Sequence, residues 1–146
     1  NPSLHPKRRR AHPMTELYFP YKHIQTETFG KFTIPVAKIF LQGQQEETAI
    51  DVIVDTGAVI SIFPKSLCDI LGLDFEKGIQ SYVKTATGEN IQIKIHKLKI
   101  RINNHKLQAR AAFTTIENIP YILGRLDILD KIEIRFEKRG TRFVIK

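Results

Sequence analysis

Cysteine occurs once in the 146 residues, at Cys68, which excludes a disulfide framework within the chain. One thiol fits a reducing compartment. No apolar run approaches the roughly 20 residues that span a bilayer. No apolar segment follows the basic start, as one would in a secretory signal. These absences lead to the expectation of a cytoplasmic protein with no membrane partner. His5, His12, His23, His96 and His105 show no metal-ligand spacing, so neither a metal nor another cofactor is expected. Low-complexity stretches and solenoid periods are also missing.

What is present describes one folded domain. Hydrophobic residues make up 42% of the chain and charged residues 26%, within the globular range. The length suffices for a proper core. The net charge is +8, and Lys7, Arg8, Arg9 and Arg10 supply four of it in a stretch, 1–13, that holds no acid. Such an arm can bind phosphates without sequence preference. No aromatic-rich basic face or zinc-finger spacing accompanies it, so it reads as a solvated tail and nucleic acid is not expected as a partner. Met14 fits a natural start that makes residues 1–13 an extension. Residues 1–31 are read as this extension and a lead-in segment, and residues 32–146 as the domain. Within the lead-in, Tyr18-Phe19-Pro20-Tyr21 is an aromatic-proline run suited to packing on the body.

From Phe32 the chain alternates short strands with turn chemistry. Phe32 to Leu41 and Thr48 to Val54 are apolar, β-branched strands around the turn Gln42 to Glu46. Pro64 opens a short helix, 64–71, with an apolar stripe of Leu67, Ile70 and Leu71 and a stop at Gly72. A long hairpin follows, tipped by Thr87-Gly88-Glu89. Its returning strand buries Ile91, Ile93 and Ile95, then changes phase to Leu98, Ile100 and Ile102. That slip predicts a bulge near His96-Lys97. Asn103-Asn104 is a tight-turn signal. Later come a short helix near Leu126 to Asp130 and strands at Ile132–Phe136 and Phe143–Ile145, separated by Gly140. Strand, polar loop and short helix thus occur twice, around 48–71 and 107–130. The expected architecture is one mainly β, mainly antiparallel domain with two short helices.

Asp55-Thr56-Gly57 carries the chemistry. A tripeptide of ordinary turn residues is a weak signal alone. Here the carboxylate sits between Ile53-Val54 and Ala58-Val59-Ile60, where a charge costs free energy unless a partner or a function justifies it. Cys68 lies on a helix without a matched histidine and reads as packing; Asp51 alternates with apolar neighbours and reads as exposed.

In these residues the chain resembles the retropepsin-like aspartic proteases, which include soluble bacterial relatives of the retroviral enzymes. An apolar strand enters Asp55-Thr56-Gly57-Ala58, and Ser61-Ile62-Phe63-Pro64 leads to the helix ending at Leu71-Gly72-Leu73. A hairpin tipped by Thr85-Ala86-Thr87-Gly88-Glu89 stands where the family has its flap. Tyr121-Ile122-Leu123-Gly124-Arg125 and Leu126 to Asp130 resemble the apolar-apolar-Gly-Arg segment and its helix. The likeness covers about residues 32–146.

The resemblance implies an aspartic endopeptidase with Asp55 as its catalytic carboxylate. The mechanism uses two carboxylates that share a proton, one activating water and one donating to the scissile carbonyl. This chain holds one Asp-Thr-Gly and no Asp-Ser-Gly, so the second carboxylate must come from a second copy across a twofold axis. The expected partners are that copy and a peptide or protein substrate. Thr56 would bond across the dimer, and Gly57 would let the backbone approach substrate. Leu123, Gly124 and Arg125 would support the loop, while Gly57, Ala58, Val59, Thr85, Ala86, Thr87, Gly88 and Ile122 would line the substrate cleft. The terminal strand would contribute to the dimer or form a simple edge. A silent dimeric peptide-binding module of the same fold is the alternative.

One position departs from the retroviral pattern. The Asp that there pairs with the Arg of the second motif is Val59 here. Arg125 is therefore expected to turn to Asp127, Asp130 or the second chain, or to stay solvated, and the cleft to be more apolar at Val59.

Overall fold

The structure, a computed structural model, describes residues 14–84 and 86–146. Thr85 and the basic run at residues 7–10 lie outside the described residues. Among the described residues twelve strands are formed: β1 (Thr15–Pro20), β2 (Lys22–Thr26), β3 (Gly30–Ile34), β4 (Val36–Gln42), β5 (Glu47–Val54), β6 (Ser61–Pro64), β7 (Ile79–Lys84), β8 (Asn90–Ile102), β9 (His105–Thr114), β10 (Ile122–Leu123), β11 (Glu133–Phe136) and β12 (Gly140–Ile145). An α-helix, α1 (Lys65–Ile70), follows β6, with Pro64 as its cap.

The main sheet runs β4-β5-β10-β6-β9-β8-β7, and an additional β4–β8 pairing bends it into a closed barrel with β7 outside. The barrel encloses the main core. There Phe63, Phe113, Ile39, Leu41, Ile100, Ile102 and Leu123 are fully buried, and Phe63 stacks obliquely on Phe113 with ring centroids 5.8 Å apart. Tight interdigitation of this kind makes each methylene count. Cys68 belongs to this core. Burial pushes its thiol up to about 11, so the thiolate is scarce at neutral pH and the side chain acts as a small hydrophobe.

The phase slip in β8 has a different cause from a bulge. Pairing with β9 runs unbroken from Ile93↔Thr114 to Ile102↔His105. Along its other edge β8 pairs first with β7, through Asn90 to Ile95, and later with β4 at Ile100 and Arg101. Leu98, Ile100 and Ile102 face the main core. Ile93 buries on the opposite face, in a smaller cluster with Ile60 and Ala112 against which Ile91 and Ile95 pack. A long strand that belongs to a hairpin at one end and a barrel at the other exchanges its buried face without losing register.

The second predicted helix does not form. Residues 125–128 make a turn, and only a 3-10 turn, Leu129–Lys131, follows. The reason is Asp127, whose backbone adopts φ 64°, a conformation that Asp and Asn tolerate better than most residues. There its carboxylate accepts from the Arg110 backbone N–H at 3.0 Å and from Arg110 Nε at 2.8 Å. The Arg110 guanidinium, and next its backbone N–H, hold the Asp127 carboxyl well below the usual carboxylate range. A depressed folded-state value contributes stability above the unfolded-state value near 3.9, and that contribution is lost as pH falls through the folded value. Asp127→Asn, which keeps the backbone preference, is expected to lower Tm by about 2 °C at pH 7. Melting curves should show the deficit undiminished above about pH 5 and narrowing below about pH 4.

A separate sheet, β1-β12-β11, closes the chain on itself. β12 is its central strand, so Phe143 and Val144 have both edges filled by their own chain, and Ile145 has one edge on Thr15. Phe19 packs on Phe143 at 5.1 Å, and β1 pairs with β12 from Thr15↔Ile145 to Pro20↔Gly140. Tyr18-Phe19-Pro20-Tyr21 thus packs on the body. β2 and β3 form a two-stranded sheet of their own.

Candidate active site

Asp55 directly follows β5, whose buried Ile50, Val52 and Val54 alternate with outward residues. The chain then turns sharply. Ala58 N–H donates to Asp55 O at 3.1 Å, and Gly57 N–H donates to Asp55 Oδ1 at 3.0 Å. The turn therefore orients the carboxylate by one oxygen, leaving Oδ2 without a partner among the described residues. Asp55 is half-buried, while Thr56 and Gly57 are exposed. A Cβ on Gly57 would stand 3.3 Å from Asp55 Oδ1, so a side chain there would press on the carboxylate.

The second motif braces this turn from behind. β10 inserts between β5 and β6, parallel to β5 with Ile122↔Ile53 and Leu123↔Val54, and antiparallel to β6 at Ile122↔Ile62. Asp55 N–H donates to Leu123 O at 3.0 Å; Arg125 N–H and Leu126 N–H return to Ala58 O and Val59 O at 2.9 and 2.8 Å. Gly124 N–H donates to Ser61 Oγ at 2.9 Å in a fully buried setting. A Cβ on Gly124 would lie 2.4 Å from the Ile60 carbonyl carbon, so only glycine permits the approach. Ser61 is a support that the sequence reading assigned no role. Its signal was a lone hydroxyl among Ile60, Ile62 and Phe63, since a buried polar group needs a partner.

The structure thus brings Asp55, Thr56, Gly57, Ala58, Val59, Ile122, Leu123, Gly124 and Arg125 into one unit. Of the three expected partners, Arg125 takes Asp130, with Nε 3.1 Å from Oδ1; Asp127 is occupied by Arg110. Val59 is 73% exposed. The tip residues Ala86, Thr87 and Gly88 lie on the exposed turn between β7 and β8, where Gly88 has φ 87°. A cavity of about 870 Å³ opens elsewhere, lined by Gln42, Glu47, Lys99, Arg101, Lys106 and Gln108 among others, without the Asp55 turn.

A closed barrel in which two strand–loop–strand units interlock, one of them ending in Asp-Thr-Gly, defines the retropepsin-like fold, and this chain has it. Solved structures agree. A retropepsin-like aspartic protease from Rickettsia conorii superposes with a TM-score of 0.63 at 17% identity, covering 94% of this chain and 96% of that one. EIAV protease complexed with the inhibitor HBY-793 gives 0.53 at 20% identity, over 73% of this chain and 92% of that one. Neither the protein-family models nor the curated proteins give a match. Among the described residues no helix is long and apolar enough to cross a membrane.

Proposed function

We propose that the chain is an aspartic endopeptidase, active as a homodimer in which two Asp55 side chains share the reaction. The observation that carries this reading is the Asp55 turn, with one carboxylate oxygen held by Gly57 N–H and the backbone clamped by β10. Such bracing suits catalysis, because a carboxylate fixed before substrate arrives needs no reorganisation during the reaction. One carboxylate cannot both accept a proton from water and donate one to the scissile carbonyl. A second Asp55 across a twofold axis supplies the missing role. One Asp55 takes a proton from water as its oxygen attacks the carbonyl carbon, while the other protonates the carbonyl oxygen. Collapse of the tetrahedral species breaks the C–N bond as the first Asp55 gives its proton to the leaving nitrogen and the second takes one from a hydroxyl on the tetrahedral carbon, which restores the dyad.

Thr56, exposed beside the carboxylate, would bond between the two turns. The β7–β8 hairpin would serve as the flap, lowering Ala86, Thr87 and Gly88 over the bound peptide and excluding water. Its inner strand supplies Ile91 and Ile93 to the small cluster beside Ile60, which supports an apolar cleft, and exposed Val59 extends it. Cleavage of a mixed peptide library from acidic to neutral pH should rise with protein concentration in step with the dimer fraction measured by sedimentation. Cleavage by a species that stays monomeric would sink the proposal. A dimer that cleaves nothing would favour the binding module.

A further inference from the structure

The β2–β3 hairpin, residues 22–34, leaves Phe29 and Phe32 exposed, and no other described element covers them. Its register pairs Lys22↔Ile34, Ile24↔Phe32 and Thr26↔Gly30. Because side chains alternate across a strand, Ile24, Phe32 and Ile34 share one face with Lys22 and Thr26 at its ends, and His23, Gln25, Lys31 and Thr33 share the other. The hairpin is therefore amphipathic. Yet Phe32 is 41% exposed, Phe29 at the tip is 80% exposed, and neither these nor Ile24 and Ile34 join a buried cluster. A two-stranded hairpin is marginally stable alone and normally needs a third layer.

The position of its base indicates the occupant. Pro35, the residue after β3, accepts from Val54 N–H at 2.9 Å, one residue before Asp55. Val36 then pairs with Ile53. The hairpin thus springs from the backbone that leads into the Asp55 turn, the turn that the proposed dyad would bring against a second copy. We infer that β2–β3 is an arm whose Ile24–Phe29–Phe32 surface docks on a second copy of this chain and holds the two half-sites together. The inference rests on the dimeric reading above and adds its clasp. In a twofold dimer the arm contact occurs twice, once from each copy, so a substitution in it counts double.

The test is a Phe29→Ser/Phe32→Ser double variant of the full chain, with Gln25→Lys on the polar face as control. Both sites are exposed, and thermal melting checks that the barrel remains folded. The double variant should raise the dimer dissociation constant by about 100-fold or more, with the control unchanged. Cleavage lost at low concentration should return at high protein concentration. If wild type and double variant dimerise and cleave alike, the arm is overturned and the protease reading stands. An unchanged dissociation constant with a raised KM would assign the hairpin to substrate and overturn the second copy as occupant. If wild type dimerises without cleaving and the variant falls apart, the clasp is upheld and the protease reading fails. A wild type that is monomeric at every concentration would overturn both.

Discussion

Asp55→Asn is expected to lower peptide cleavage by at least about 10³-fold while leaving Tm and dimerisation nearly unchanged. Asparagine keeps the shape and can still accept from Gly57 N–H through its side-chain oxygen, so the turn of Asp55 O to Ala58 N–H survives. What it removes is the proton acceptor. The half-site organisation makes a sharper form of the same experiment possible. Mixed with wild type in threefold excess and allowed to exchange, Asp55→Asn chains should trap most wild-type chains in heterodimers holding one carboxylate. Activity per wild-type chain should then fall to about one quarter, the share still paired with its own kind. If it stays at the wild-type level, each chain acts alone and the two-Asp55 mechanism is wrong. Residual cleavage by the pure variant at the wild-type rate would assign the chemistry to another residue.

The legibility of this site in the sequence follows from the kind of physics at each position. Asp55-Thr56-Gly57 and Ile122-Leu123-Gly124-Arg125 are local patterns. Each combines an apolar strand end with glycine, so both were readable, and so was the two-residue turn at Asn103-Asn104. The missed features depend on partners distant in sequence. Leu126 to Asp130 has helical composition, but Asp127 is drawn into a left-handed backbone by Arg110, 17 residues earlier. The change of phase at Leu98 looked like a bulge because the sequence does not say that β8 leaves a hairpin for a barrel. The terminal strand reads as an edge until Thr15–Pro20 is seen to cover its open side. Periodicity reports which residues are buried, whereas only the fold reports by what.

Gly124 tests the other half of the site, its bracing. A methyl group at Gly124 would stand 2.4 Å from Ile60 C, 2.6 Å from Ile60 O and 2.8 Å from Ser61 N, all backbone atoms. No rotamer relieves such overlaps, so β10 must withdraw from the loop that follows Asp55. Withdrawal stretches the bonds from Gly124 N–H to Ser61 Oγ and from Arg125 and Leu126 to Ala58 and Val59, and disturbs buried Leu123. Gly124→Ala is therefore expected to destabilise the fold by about 3 kcal/mol or more, read as a Tm lower by roughly 10 °C. Gly57→Ala forms the contrast. Its added carbon meets only Asp55 Oδ1, at 3.3 Å, so it should depress cleavage with little change in Tm. The overlap at Gly124 is with backbone, so shortening a neighbouring side chain should not rescue it. Recovery of Tm in Gly124→Ala/Ile60→Ala would show that the close approach is made by side chains instead, and that β10 does not need glycine to hold the Asp55 turn.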